Sequence, residues 1–405
     1  MTSGQATLLG TVILKNLALP SSQELSLQLS DSNDSPSSPP PYSASQIVGT
    51  TSPKSSNIFI NSSVTLGQVG PNSVNLYTGF YGIDETQSGW NPPDVQVATG
   101  PNNVMELVNG RGEVWDKQGN SIHSFYLCNL FKAPNYCSDP RLIYDTMSGR
   151  WFASVTTAST YNDLRISVSA SSDPTGTWYV YQVKSINGGS NFDYDQFGLS
   201  SDKVAINAQS GTGTKGDEYF ILSKSEITAG NSKVDFADFG PSNSVIRIDP
   251  AVSVTSSSTL YMVSSCSGSC GGGSTKLHVF YVTGVPPGTV TSTEYTISMN
   301  AANGAQWGQQ PGTSNLLNVG DASVQSAVWA NNNNYVVGLW LSFTDSCTPS
   351  GDNVARACLR FIELSTSGSP SIVQQWDDGS KGTYFFYPSL RLDLEGDLDV
   401  IYGYS

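Results

Sequence analysis

The chain has 405 residues, 38 % of them hydrophobic and only 13 % charged, with 39 Gly and 21 Pro. A formal net charge of −14 with no basic stripe excludes a nucleic-acid backbone as partner and disfavours acidic partners, while cations and neutral glycans remain open. That length could hold two or three average domains, but low charge with abundant Gly, Ser, Thr and Asn favours one turn-rich all-β unit.

In chain order the first element is ATLLGTVILKNLAL, residues 6–19, an apolar stretch broken by Lys15. It is too short and too interrupted to span a bilayer, and it lacks the basic n-region and A-x-A site of a secretory leader. Residues 6–29 read instead as two short strands, followed at 30–45 by SDSNDSPSSPPPYSAS, a Pro/Ser-rich run that cannot bury a core. The expected division is an N-terminal β-strand segment over 1–29, a linker over 30–56 and one large β domain over 57–405. The N-terminal segment is expected to pack on the side of that domain or to be donated to a neighbouring copy, giving self-association through residues 1–29. Asn33 and Asn61 stand in N-x-S sequons.

A shape then recurs: an Asp or Pro entry, a short strand, a turn, and a second, more hydrophobic strand. It fits PPDVQVATGPNNVMELVNG (92–110), SDPRLIYDTMSGRWFASV (138–155) and YDQFGLSSDKVAINAQ (194–209). It fits RIDPAVSVTSSSTLYMVSS (247–265), GDASVQSAVWANNNNYVVGLW (320–340) and YPSLRLDLEGDLDVIYGYS (387–405) as well. The entry residues are Asp94, Asp139, Asp195, Asp249, Asp321 and Tyr387, from 45 (139 − 94) to 72 (321 − 249) residues apart. Such periods, with loop insertions, are those of propeller blades. Further alternating runs fill the gaps: LRISVSAS (164–171) and TWYVYQV (177–183), KLHVFYVTG (276–284) and TEYTIS (293–298), ARACLRFIEL (355–364) and SIVQQW (371–376). The last copy stops after two strands, and NIFINSSVTL (57–66) and SVNLYTGF (73–80) are two spare strands that would complete it and interlock the chain's two ends. The expected fold is an all-β β-propeller of six four-stranded blades, with seven as the competing count.

The run NPPDVQVATGPNNVMELVNG, SDPRLIYDTMSGRW, SVSASSDPTGTWYVY and FDYDQFGLSSDKVAINA resembles a family of uncharacterised secreted proteins of archaea and bacteria, over roughly residues 90–405. The resemblance implies a β-propeller and brings no established activity. A second likeness is to the Asp-box of sialidase-type propellers, S-x-D-x-G-x-x-W. Ser171, Asp173 and Trp178 match it in spacing, with the Gly at 176 instead of 175. The likeness implies a hairpin-turn device on the outside of a blade, away from any chemistry.

Six cysteines fall into three close pairs, Cys128 with Cys137, Cys266 with Cys270 and Cys347 with Cys358. The gaps do not fit a zinc ribbon, so loop-stapling disulfides are expected over a split metal site. They imply an extracellular or cell-surface location, with the leader peptide absent from this chain.

If the repeat is read correctly, Asp94, Asp139, Asp195, Asp249, Asp321 and Tyr387 converge at the rim of a central channel. Gathered carboxylates bind a cation or perturb one another's pKa values; the plainer reading is that each Asp caps its own turn. NFDYDQF adds Asp193 and Tyr194, an acidic-aromatic cluster of the kind that stacks on sugar faces and bonds their hydroxyls. No cofactor is required, and calcium is the one ion the acids could take. DLEGDLD (393–399) offers Asp393, Glu395 and Asp399 for it, with Arg391 standing where a first ligand belongs, so a plain turn is preferred there. His123 and His278 read as packed strand residues, which disfavours Ser-His-Asp chemistry, and CSGSCGGGS (266–274) lacks the context of a phosphate loop. What remains for an enzyme is two-carboxylate glycoside hydrolysis, with Asp139 and Asp195 as candidates.

The reading favoured by these features is a secreted or cell-surface binding propeller that presents an acidic and aromatic face to a glycan, a cell-surface protein or a cation. The alternatives are a carboxylate-dependent glycoside hydrolase or lyase, and an extracellular filament or surface-layer subunit using a donated N-terminal strand.

Overall fold

The structure, a computed structural model, describes residues 1–19, 79–133, 136–157, 163–213, 216–270, 272–332, 336–393 and 396–405. The linker at 30–56, the spare strands expected at 57–66 and 73–78, and Glu395 of the calcium candidates lie outside the described residues.

Strand β1 (Thr2–Ile13) opens the chain. Unit I is the meander β2 (Gln96–Thr99), β3 (Asn103–Val108), β4 (Arg111–Asp116) and β5 (Ser121–Tyr126). Unit II is β6 (Cys137–Asp145), β7 (Arg150–Thr157), β8 (Leu164–Ser169) and β9 (Thr177–Val183). Unit III is β10 (Gly189–Leu199), β11 (Lys203–Gly213), β12 (Gly216–Ser223) and β13 (Lys233–Ser242). Unit IV comprises β14 (Asp249–Pro250), β15 (Val252–Ser253), β16 (Leu260–Ser264), β17 (Ser274–Thr283) and β18 (Thr291–Ala302). A short pair, β19 (Gly308–Gln309) and β20 (Leu316–Leu317), precedes unit V. Unit V is β21 (Ser326–Asn332), β22 (Val336–Cys347), β23 (Arg356–Ser365) and β24 (Ser371–Asp378). Unit VI is the hairpin β25 (Phe385–Leu392) and β26 (Leu398–Tyr404).

Units I, II, III and V are antiparallel in chain order, and unit IV pairs as β14-β16-β17-β18. β15 leaves that order and bridges in parallel from Leu199 of β10 to Val328 of β21, which ties the first strands of units III and V together. The strands carry the expected alternation, and the longest helix among the described residues is Lys224–Ala229.

Consecutive units bury apolar faces against one another. Phe125 of unit I meets Trp151 and Trp178 of unit II; Phe152 and Tyr181 of unit II meet Phe197 and Phe220 of unit III. Ile221 of unit III meets Met262 and Phe280 of unit IV; Tyr261 of unit IV meets Trp329 of unit V; Trp340 of unit V meets Leu390 of unit VI. Each fully buried side chain of this size contributes about 1.5–3 kcal/mol, so the interfaces outweigh any single hydrogen bond.

β1 is not a free strand. Thr2–Thr7 pair with Asp238–Lys233 of β13, and Thr7–Ile13 pair with Gln182–Thr177 of β9, with a bulge at Leu8/Gly10. Each of its edges is thus paired within the chain over about half its length, which seats Thr2–Ile13 in its own sheet; residues 20–29 lie outside the described set. The strand ends on the turn between β8 and β9, where the Leu14 and Lys15 N–H groups donate to the Gly176 and Thr175 carbonyls (2.9 and 3.0 Å). That turn is the one that resembles an Asp-box: Asp173 Oδ1 accepts from the Thr175 N–H (2.9 Å), and the buried Trp178 indole donates to the Pro174 carbonyl (2.7 Å). All three close cysteine pairs are joined as disulfides.

Candidate functional site

Each of the six units has a residue in the left-handed region before or within its first strand: Asp94 (φ 48°), Asp139 (54°), Tyr194 (52°), Arg247 (56°), Gly320 (82°) and Tyr387 (53°), with Asn191 (50°) a second one in unit III. Side chains other than Gly, Asn and Asp rarely adopt this conformation, and such strain of about 1–3 kcal/mol per residue collects at functional sites.

Contacts link neighbouring entries. Asn109 joins the first two, donating from Nδ2 to Asp94 Oδ2 (2.6 Å) while its Oδ1 accepts from the Asp139 N–H (3.0 Å). Asp139 Oδ2 accepts from the Tyr194 N–H (3.0 Å). The Arg247 guanidinium lies 3.8 Å from the Tyr194 ring centre, with that of Arg141 at 5.9 Å. Tyr194 Oη is 3.4 Å from Ser323 Oγ, whose N–H donates to Asp321 Oδ1 (2.9 Å). The Tyr387 N–H donates to Thr344 Oγ1 (3.0 Å), and its phenol is raised to about 12 by burial first and then by Tyr194, Asp321 and Asp94.

A cavity of about 280 Å³ opens where the ring of entries has its glycine, lined by Tyr194, Arg247, Gly320, Asp321, Gln325 and Tyr387, among others. A Cβ on Gly320 would stand 2.8 Å from the Tyr387 ring and 3.0 Å from Gln325 Nε2. Gly320→Ala should therefore destabilise by about 1–2 kcal/mol from its backbone alone and close the cavity. Gly304→Ala, which meets nothing within 4 Å, should leave the urea midpoint unchanged; equal midpoints for the two variants would contradict this.

Of the expected site residues, Asp94, Asp139, Asp193, Tyr194, Asp321 and Tyr387 are brought together. Asp195 and Asp249 are buried behind them: they lie one and two residues past the left-handed entries and are 0 % and 5 % exposed, and the Asp139 and Asp193 charges still act on Asp195. Asp195 is raised to about 8 by burial against the opposing Arg141; Ser154 Oγ donates to its Oδ2 (2.6 Å), and its Oδ1 has no partner. Asp249 is raised to about 7 by burial, against Arg141 and Arg391, and its Oδ2 is likewise unpartnered. Asp139 and Asp193 hydrogen-bond to each other. Burial, then the Asp94 charge, raises Asp139; burial, then the Asp139 charge and bond, raises Asp193 to about 6, although that residue keeps an exposed face.

Sequence reasoning missed the basic side of the site. Arg141, Arg247 and Arg391 come from units II, IV and VI, and none forms an ion pair among the described residues, whereas Arg111, Arg165, Arg356 and Arg360 all do. Two could have been found from the strand period, since Arg141 stands two residues after Asp139 and Arg247 two before Asp249. Of the calcium candidates among the described residues, Asp393 closes its own turn: its Oδ1 accepts from the N–H groups of Gly396 and Asp397 (both 2.8 Å). No group of three or more metal-ligating side chains occurs among the described residues, and none of their helices is long and apolar enough to cross a membrane.

No family model matches the chain, so the resemblance to secreted propellers stands on its motifs alone, and no curated protein matches either. Among solved structures the chain is similar to a subtype N11 neuraminidase-like protein of A/flat-faced bat/Peru/033/2010, at 10 % identity over 70 % of this chain and 74 % of that one, with a TM-score of 0.40. It is also similar to an endo-arabinase from Bacteroides thetaiotaomicron, at 11 % identity over 65 % and 88 %, TM-score 0.35. A thermostable family-43 glycoside hydrolase matches at 11 % identity over 72 % and 97 %, TM-score 0.34.

Proposed function

We propose that the six units form a six-bladed propeller of a secreted or cell-surface protein, and that the ring of entries is the face with which it binds a glycan. The observation that carries this reading is the cavity beside Gly320. Its wall combines the ring of Tyr387, a residue 48 % exposed as a whole, with the Arg247 cation, the Asp321 carboxylate and the Ser323 and Gln325 side chains. A ring face with donors and acceptors around it suits a sugar, whose C–H face stacks while its hydroxyls bond. At about 280 Å³ the cavity has room for one small polar unit of a larger ligand. The three disulfides support the oxidising location.

Hydrolysis by Asp139 with Asp195 is a weaker reading. Glycosidase carboxyls stand about 5–9.5 Å apart to flank the bond they cleave, whereas Asp139 bonds directly to Asp193 and Asp195 is sealed from solvent. Calorimetric titration against neutral and acidic oligosaccharides, with reducing-end release measured alongside, tests both. Wild type should bind at least one sugar class, and Tyr387→Ala should weaken that binding at least ten-fold without altering the unfolding temperature. Turnover that vanishes in Asp193→Asn would replace the binding reading with a catalytic one, and identical affinities for wild type and Tyr387→Ala would remove the cavity from it.

A further inference from the structure

The Gly-rich loop between β16 and β17 and the two strands beyond it hold a second constellation, which uses none of the entry residues. Ser267 Oγ is 2.7 Å from His278 Nε2, and His278 Nδ1 is 2.8 Å from Glu294 Oε1. His278 sits on β17 and is only 6 % exposed, while Glu294 lies on the neighbouring β18, two residue pairs along the register, opposite Phe280. Thr296 Oγ1, 3.4 Å from the same Nδ1, flanks that bond. Facing a carboxylate, Nδ1 carries the ring proton, which leaves the Nε2 lone pair directed at the serine hydroxyl. The strand period alone makes His278 look like a packed residue, because the partners that give it a role come from a loop eleven residues back and a strand sixteen residues on.

The loop that carries Ser267 is closed by the Cys266–Cys270 disulfide, which fixes a ring of five residues, CSGSC. Cys266 is anchored in the core: its N–H donates to Ser264 Oγ (3.0 Å), and its carbonyl accepts from the Ile246 N–H (3.2 Å). Ser267, Gly268 and Ser269 are exposed. Their backbone N–H groups donate to no group among the described residues. Gly268 has φ 72°, which turns the chain back over the serine. A hydroxyl bonded to an oriented imidazole, beside unsatisfied backbone donors on a constrained loop, is the arrangement that activates a serine and stabilises an oxyanion.

We propose that Ser267, His278 and Glu294 form a serine acyl-transfer site that hydrolyses small acyl esters carried on a larger molecule. Ser267 Oγ attacks the ester carbonyl as its proton passes to His278 Nε2. The proton then goes to the leaving alkoxide oxygen, the C–O bond of the ester breaks, and the acyl group remains on Ser267. Water, deprotonated by the same Nε2, attacks that acyl group and releases the carboxylic acid, and Ser267 recovers its proton. Glu294 holds the imidazole in the required tautomer and stabilises the imidazolium. The exposed position of Ser267 fits a small acyl group whose alcohol half stays outside.

The test uses full-length protein with p-nitrophenyl acetate and, separately, a fluorophosphonate probe followed by mass spectrometry of the labelled peptide. Wild type should turn over the ester and be labelled on Ser267. Ser267→Ala should lose both, and Glu294→Gln should slow turnover at least ten-fold while shifting its pH profile. Ser269→Ala, a neighbour in the same exposed loop, should behave as wild type and so separates loss of the nucleophile from damage to the loop. Turnover equal in wild type and Ser267→Ala, or labelling that falls elsewhere, overturns the assignment.

Discussion

The temperature of unfolding should fall as pH rises from 4 to 8, so that the protein is more stable in mild acid than at neutrality. Asp195 and Glu218 are each raised to about 8 and Asp249 to about 7, all by burial first. They are 0 %, 0 % and 5 % exposed, so solvent screening relieves them little. Glu218 also shares a hydrogen bond with the fully buried Asp238, and Ser185 Oγ donates to its Oε1 (2.7 Å). In the unfolded chain these groups ionise near pH 4. Between there and their folded values the native state holds more protons than the unfolded one, so stability is fully present below about pH 4 and is lost as pH climbs toward 8. One such group loses ~1.4 kcal/mol per pH unit over that window, so a single one spans on the order of 4–6 kcal/mol, a large share of a net stability of about 5–15 kcal/mol.

Carboxylates of the opposite kind set the lower limit. Asp84, Asp116 and Asp352 are held below the ordinary range by hydrogen bonds, chiefly to Thr86, Asn120 and Arg356. Their contribution fades only as pH drops below about 4. Calorimetric scans at pH 4, 6 and 8 should therefore show a descending series. Asp195→Asn and Glu218→Gln should flatten it, because each amide imitates the protonated acid, the first still accepting from Ser154 and the second donating to Asp238. A series that rises toward pH 8 would show that these carboxyls stay ionised in the fold, contrary to their burial.

Strands, turns and the spacing of units were legible because apolar and polar residues alternate along the strands, as in LRISVS of β8 and KLHVFYV within β17, although β8 is buried at every position. The site was legible only in part. What the six entries share is a backbone conformation, and the residues that adopt it are Asp, Asp, Tyr, Arg, Gly and Tyr. A reading keyed on Asp therefore slipped by one residue at Asp195 and at Asp321, and by two at Asp249. A slip of one residue turns a strand's side chain to the other face. The slip at Asp195 hid the role of Tyr194, and the slip at Asp249 hid that of Arg247. Pairings over long separations left no local trace either. Nothing in TSGQATLLGTVI says that its two edges meet residues 177–182 and 233–238.

That long-range pairing carries the second large effect. Removing residues 1–19 should cost on the order of 5 kcal/mol, because a dozen ladder residues and the buried Leu14 go with them. The loss is not confined to contacts. β1 lies between the last strands of units II and III, so its removal bares β9 and β13 together, and each then offers an unpaired row of N–H and C=O groups to another molecule. Self-association should thus appear when the N-terminal strand is absent, the reverse of what a donated strand would give. A synthetic peptide of residues 1–19 added in trans should restore both the unfolding temperature and the monomer peak in size-exclusion chromatography, since the groove it fills has matching edges on both sides. If the truncated protein melts where the full chain does and stays monodisperse, β1 is an ornament on the sheet. If the full chain itself oligomerises and truncation abolishes it, the strand pairs between molecules and its intramolecular seat is the lesser state.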